Sequence, residues 1–180
     1  MQPTIKIISG GQTGVDLAAL VTARAAGIPT GGWLPYGCVN LDGIHDEYKE
    51  LYDMVECQDP GYGARTELNV LNSDGTLRFA KTFSSPGERC TIAAIHKHNK
   101  PHLDISWKPK DRYIVSAASV VEWLIQHEIK TLNVAGNSEK TSPGIYNAAC
   151  EFLNAVFIRW MEQLTVTKTD GTRDARNLQS

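Results

Sequence analysis

The chain has 180 residues, with 18 Lys+Arg against 20 Asp+Glu, a formal net charge of −2 and 42% hydrophobic residues. That length and composition predict one globular domain with a sizeable core. Near-neutral charge gives no basis for a nucleic-acid partner or a membrane surface, and no apolar run approaches the roughly 20 residues of a membrane span.

The first element is the most informative. Ile5-Lys6-Ile7-Ile8 reads as a buried strand over 4–8, and Ser9-Gly10-Gly11-Gln12-Thr13-Gly14 follows as a glycine-rich turn. Val15, Leu17, Ala18, Ala19, Leu20 and Ala23 then begin a helix predicted over 14–26. Strand, glycine turn and helix in this order place backbone N–H groups at the positive end of a helix dipole, where an oxyanion is stabilised. Thr13 and Asp16 also have the spacing of a capping box, with Thr13 as the cap. A cap needs none of Gly10, Gly11 and Gly14, whereas close approach of a phosphate to the backbone does. A nucleotide-hydrolase P-loop is excluded, because Val15 stands where Lys is needed. A dinucleotide fingerprint would need glycine at Ser9 and an acid closing the second strand, and that strand runs into Gly31-Gly32-Trp33.

Further strands are expected near 28–32, 76–80, 102–106 and 131–135, and helices near 64–73, 87–99, 116–128 and 144–162. The alternation predicts an α/β fold: a Rossmann-like, doubly wound, mostly parallel sheet of about five or more strands with helices on both faces. Residues 33–63 give no clear element, because Pro35, Gly37, Gly43, Pro60, Gly61 and Gly63 punctuate them. A loop that long in a compact domain is functional or conceals short elements. One ligand-binding domain is expected over 1–164, with a weakly packed polar tail over 165–180.

Three later segments add candidate ligand groups. Gly136-Asn137-Ser138-Glu139-Lys140-Thr141-Ser142-Pro143-Gly144 follows the 131–135 strand, with Ser142 placed to cap the last helix. A loop so rich in donors, at a strand's C-terminal end, fits the crevice where doubly wound folds bind ligands. Ser84-Ser85-Pro86-Gly87-Glu88-Arg89-Cys90-Thr91 offers Thr91 or a mere solvated turn. Arg65 and Asn69 share a helical face, and Arg65 offers a bidentate oxyanion clamp or an interface contact. The candidate ligand-binding set is Gly10, Gly11, Gln12, Thr13, Gly14, Arg65, Asn69, Thr91, Gly136, Asn137, Ser138, Glu139 and Gly144. No metal ligands and no catalytic residue are assigned. Cys38, Cys57, Cys90 and Cys150 form no C-x-x-C pair, and His96 and His98 lack zinc spacing. With only Ile7-Ile8 apolar after Lys6, no export signal is read, so free thiols in a reducing cytoplasm are expected.

Several of these motifs together resemble the putative molybdenum carrier family. They are Ile8 to Asp16, Gly27 to Trp33, Arg65 to Val70, Ser73 to Thr76, Leu132 to Gly136 and Pro143-Gly144-Ile145, in order over about residues 5 to 153. The resemblance implies a Rossmann-like fold related to the Lonely Guy (lysine-decarboxylase-like) superfamily. It also implies a bacterial, cytoplasmic homo-oligomer carrying molybdenum cofactor, a pterin phosphate, with nucleotides as the ligands of the wider superfamily. The chain departs from the family pattern at Ser138, where an arginine is usual, and at Tyr36, where a lysine is common. The Lonely Guy motif Pro-Gly-Gly-x-Gly-Thr-x-x-Glu survives only as fragments around Pro86 to Thr91, and Ala94 takes the place of its glutamate. The expected function is a non-catalytic carrier of a phosphate-bearing small molecule at the C-terminal edge of the sheet. The alternatives are a nucleotide hydrolase of the Lonely Guy type using Asp16, Glu88 or Glu139, a nucleotide sensor, or a scaffold with purely structural glycines.

Overall fold

The computed structural model describes residues 5–61, 63–108 and 115–174, with side chains through residue 164. Among the described residues, six strands form one parallel sheet in the order β5-β2-β1-β8-β6-β7. They are β1 (Lys6–Ile8), β2 (Thr30–Leu34), β5 (Met54–Glu56), β6 (Gly75–Ala80), β7 (His102–Ser106) and β8 (Thr131–Gly136). The strand before β1 in the sheet order is β2, and the strand after it is β8, the last in sequence. The loops leaving β1 and β8 are therefore neighbours, although about 125 residues separate Ser9 from Val134, whose carbonyl accepts the Ser9 hydroxyl hydrogen bond.

Burial explains the strand sequences. Ile7, Leu77, Phe79, Ile105, Leu132 and Val134 are fully buried, as expected for a sheet covered on both faces. On one face α1 (Val15–Ala25), α5 (Ala117–Gln126) and α6 (Ile145–Asp174) share a continuous core with the strands. Elsewhere α3 (Ala64–Leu71) and α4 (Pro86–Lys97) meet through Val70, Ala94 and Ile95. Phe79 is fully buried against Phe152, ring centroids 5.7 Å apart. Phe79→Ala is expected to cost about 3–5 kcal/mol in denaturant unfolding, the transfer and cavity cost of a lost core ring. No helix of the described residues is long and apolar enough to cross a membrane.

The doubly wound architecture matches the sequence expectation, and two regions differ from it in detail. Residues 33–63 hold a 3-10 turn (Tyr36–Cys38), a hairpin of β3 (Val39–Asn40) and β4 (Gly43–Ile44), the short α2 (Tyr48–Leu51) and the edge strand β5. These elements are too short for a periodic signal and are fixed by individual bonds. Asn40 donates to the Gly11 carbonyl, Leu41 N–H to Gln12 Oε1, and Gly37 N–H to Glu56 Oε1. The final helix continues to Asp174, past the expected end at 162, and no proline interrupts it.

Candidate functional site

The glycines of the two neighbouring loops are explained first by how closely the backbones approach. A Cβ on Gly14 would lie 2.5 Å from the Asn137 carbonyl oxygen and 2.6 Å from the Glu139 nitrogen. One on Gly136 would lie 2.1 Å from the Phe79 carbonyl oxygen. On Gly10 it would overlap the Arg65 guanidinium, 1.5 Å from Nη1. The glycines thus seat one loop on the other and admit Arg65 over the first turn. Gly10→Ala is expected to displace Arg65 from Asp16, visible as a moved guanidinium in a crystal structure of the variant.

Two capping assignments are corrected. Helix α1 starts at Val15 with Gly14 at its cap position, φ 82°, and no side chain caps it. The left-handed turn at Gly14 leaves Thr13 outside the cap. Thr13 N–H donates instead to Gln12 Oε1, and Asp16 Oδ2 accepts from Gln12 N–H at 3.3 Å and from Arg65 Nη1 at 2.9 Å. At α6 the first helical residue is Ile145, and the Ser142 hydroxyl donates to Asn137 Oδ1 rather than capping. Glu139 fills that role, its carboxylate accepting from the Gly144 and Tyr146 N–H groups.

Above these loops lies a crevice of about 490 Å³. Of the candidate ligand-binding residues, Gly10, Gln12, Arg65, Asn69, Thr91, Gly136, Asn137 and Ser138 line it. Gly11, Thr13, Gly14, Glu139 and Gly144 are not among the lining residues. Gly11 sits beneath Leu34, whose Cδ2 would be 2.6 Å from an added Cβ. Tyr36, Val39 and Leu41 of the hairpin region also line it, as do Ser85, Gly87, Lys140 and Thr141. Sequence motifs signal Lys140 and Thr141, which share a loop with Ser138. Nothing local signals the hairpin wall.

Hydrogen-bond accounting gives the crevice a definite character. Asn69 is fully engaged: Oδ1 accepts from Trp33 N–H, and Nδ2 donates to the Trp33 and Arg65 carbonyls. Gln12 Oε1 accepts twice, from Thr13 and Leu41 N–H. Asn137 Oδ1 accepts from Lys81 N–H, Thr82 N–H and Ser142 Oγ. The Thr91 hydroxyl donates to the Gly87 carbonyl. Among the described residues, Lys140 Nζ, Gln12 Nε2 and the Nε and Nη2 groups of Arg65 have no hydrogen-bond acceptor. The side-chain acceptors of Gln12, Asn69 and Asn137 are therefore engaged, whereas donor and cationic groups of Lys140, Gln12 and Arg65 stay open at the crevice.

Burial shapes the acids. It raises the Asp16 carboxyl above its ordinary value, although the Arg65 charge and hydrogen bond oppose it. Glu88, 2% exposed, lies on α4 just behind the lining and is pushed up to about 7. Burial is the main cause, opposed by the Arg78 charge, with Asp16 and Asp104 adding to the rise. Asn137 Nδ2 donates to Glu88 Oε1 at 3.2 Å, whereas Oε2 has no hydrogen-bond partner. The folded chain therefore retains the Glu88 proton between about pH 4.5 and about 7, where the unfolded chain has lost it. This group's contribution to stability is expected to fall through that window and level off above it. Glu88→Gln should remove that fall from a urea-unfolding series against pH.

Away from the crevice, Cys38, Asp46 and Glu56 offer ligand atoms within 4.8 Å of one another. The Lys49 ammonium already occupies the position, 2.7 Å from Asp46 Oδ1 and 2.8 Å from Glu56 Oε2.

A parallel, doubly wound α/β sheet with paired glycine loops beneath a crevice defines a Rossmann-like fold. The chain belongs to the circularly permutated YpsA SLOG family, whose sequence profile matches residues 7–157. Its structure is similar to that of a putative molybdenum carrier protein from Syntrophus aciditrophicus SB, at 36% sequence identity and a TM-score of 0.74. The match covers 87% of this chain and 97% of the other. No curated protein matches. The family resemblance carried by the sequence motifs is thereby established.

Proposed function

We propose that the crevice binds a phosphate-bearing small molecule and that the chain is a non-catalytic carrier or sensor for it. The observation that carries this reading is the hydrogen-bond accounting: an acceptor-rich, anionic ligand is the chemistry that Lys140, Gln12 Nε2 and the free Arg65 N–H groups satisfy. In this reading those side chains supply most of the recognition. The Gln12, Thr13, Val15 and Asn137 amides already have protein acceptors, so the remaining amides of Gly10 to Gly14 and of Gly136 to Glu139 play a lesser part. Tyr36, Val39 and Leu41 provide an apolar wall for a planar ring.

Molybdenum cofactor, a pterin phosphate, is the first candidate cargo, in keeping with the name of the structural relative. A nucleotide is the second. The metal would travel inside the cofactor. A bacterial cytoplasm and a homo-oligomeric state belong to the same proposal. The alternative of a nucleotide hydrolase finds less support, since Asp16 is tied to Arg65, Glu139 caps α6 and Glu88 lies behind the lining.

Calorimetry of the full chain with molybdenum cofactor, molybdate and a nucleotide panel tests the reading. Binding of at least one is expected, weakened about tenfold or more in Lys140→Ala, the scale of one lost charge-assisted hydrogen bond. Lys140 is exposed, so the variant is expected to fold normally. Binding to none of them would overturn the proposal, and release of a free base from a nucleotide would replace the carrier with the enzyme.

A further inference from the structure

We infer that the crevice takes up a proton when it binds an anion, and that Glu88 holds that proton. This rests on the anion-binding reading above, and deepens it.

The geometry behind the crevice is a charge cluster with one carboxyl in excess. From β6, Arg78 grips Asp104 of β7 with two parallel bonds, Nε to Oδ1 at 2.8 Å and Nη2 to Oδ2 at 2.5 Å. The two residues face each other in strand register, which fixes the pair. The third nitrogen, Nη1, is 3.5 Å from Glu88 Oε2, too far for a good hydrogen bond. From α1, Asp16 is held by Arg65 of α3. Asn137, from the loop after β8, gives Glu88 one N–H, and the Phe83 ring lies under the Arg78 guanidinium. Two guanidinium groups thus face three carboxyls. Asp104 and Asp16 each have a guanidinium hydrogen bond, and Glu88 has none.

His102, on β7 near Asp104, is held below its ordinary value by burial, opposed by the Asp104 charge and assisted by those of Arg78 and His96. It is neutral at pH 7 and is not the favoured acceptor of a further proton.

An anion entering the crevice adds negative charge beside Asp16 and Asn137, both of which line it and both of which act on Glu88. The charge acts on Glu88 with the same sign as Asp16 and favours its neutral form. Glu88 already titrates near neutrality, so the added charge moves its protonation within the physiological range. Binding and proton uptake are then linked, and affinity for a fixed-charge anion falls as pH rises.

Sulfate and molybdate are suitable probes, because both stay dianionic from pH 6 to 8.5 and bring no proton of their own. Calorimetry of the full chain in buffers of different ionisation heat is expected to show fractional proton uptake at pH 7. The affinity for sulfate is expected to fall about sevenfold between pH 6 and 8.5, the effect of a rise of about one unit in one carboxyl that starts near 7. Glu88→Gln should bind with no uptake and a nearly flat profile.

Carbon-13 NMR of the wild-type glutamate carboxyls gives a second readout that does not depend on the variant folding. One buried resonance should titrate near neutrality and move upward with saturating sulfate. Binding without proton uptake, uptake unchanged in Glu88→Gln, or a Glu88 titration identical with and without sulfate would each overturn the inference and leave anion binding intact. Failure of both sulfate and molybdate to bind would overturn the inference, and failure of molybdenum cofactor and the nucleotides as well would overturn the anion-binding reading.

Discussion

Gly14→Ala is expected to destabilise the chain by about 3 kcal/mol or more and to separate the two crevice loops. Two costs add. The residue holds φ 82° and ψ −126°, a conformation that non-glycine residues adopt only under strain. Its new Cβ would also lie 2.5 Å from the Asn137 carbonyl oxygen and 2.6 Å from the Glu139 nitrogen, both backbone atoms that cannot swing aside. Relief requires moving a loop. Gly27→Ala is the matched control: φ is 71° and nothing lies within 4 Å of the added carbon. It should cost only about 1 kcal/mol, the conformational term alone. Urea unfolding of the two variants separates strain from collision. Equal losses would mean that the loops do not rest on each other at Gly14.

Arg65→Met is expected to destabilise by about 3 kcal/mol at pH 7, because it strands a buried carboxylate. Asp16 is 4% exposed, and Arg65 gives its carboxylate a charge-assisted bond at 2.9 Å. Methionine keeps much of the stem's packing, so the loss reports charge. Burial already raises Asp16, and without Arg65 it rises further. The deficit should therefore shrink as pH falls through the raised value and Asp16 takes a proton in the folded variant. Adding Asp16→Asn should recover most of the stability, since no unpaired charge is left. It should not recover anion affinity, which needs the guanidinium itself. Urea unfolding at pH 7 and near pH 4.5, with calorimetry on the single and double variants, checks each step.

Much of this architecture was legible in the chain. Ile5 to Ile8 followed by glycine and the Val15 to Ala23 helix defined the first βα unit, because a buried parallel strand and an apolar helix face both leave strong local patterns. The Gly136 loop was legible for the same reason. What such patterns cannot show is which loops become neighbours. Gly10, Gly11, Gly14 and Gly136 pointed to a phosphate cradle. In the fold Gly11 packs beneath Leu34, while Gly10, Gly14 and Gly136 first serve the contact of two loops and one arginine, a meaning that exists only once β8 lies beside β1.

The Arg65–Asp16 pair spans 49 positions and has no local signature. Glu88 reads in the sequence as a possible hydrolase acid beside a turn, and its surroundings depend on Arg78 and Asn137, which β6 and the loop after β8 bring to it. The hairpin wall around Val39 and Leu41 was invisible because strands of two residues have no period. Asn40 and Gln12 side chains hold it in place instead.

The most direct test of the central claim is to identify what the crevice holds. The full chain, purified without chelators or phosphate, is crystallised as isolated, and small molecules released by heat are identified by mass spectrometry. A phosphate-bearing molecule is expected, with its oxyanion beside Lys140 and Arg65 and its ring against Tyr36. No released ligand, together with a crevice that stays empty after soaking in sulfate and in molybdenum cofactor, would contradict the account and leave the glycine loops with a structural role alone.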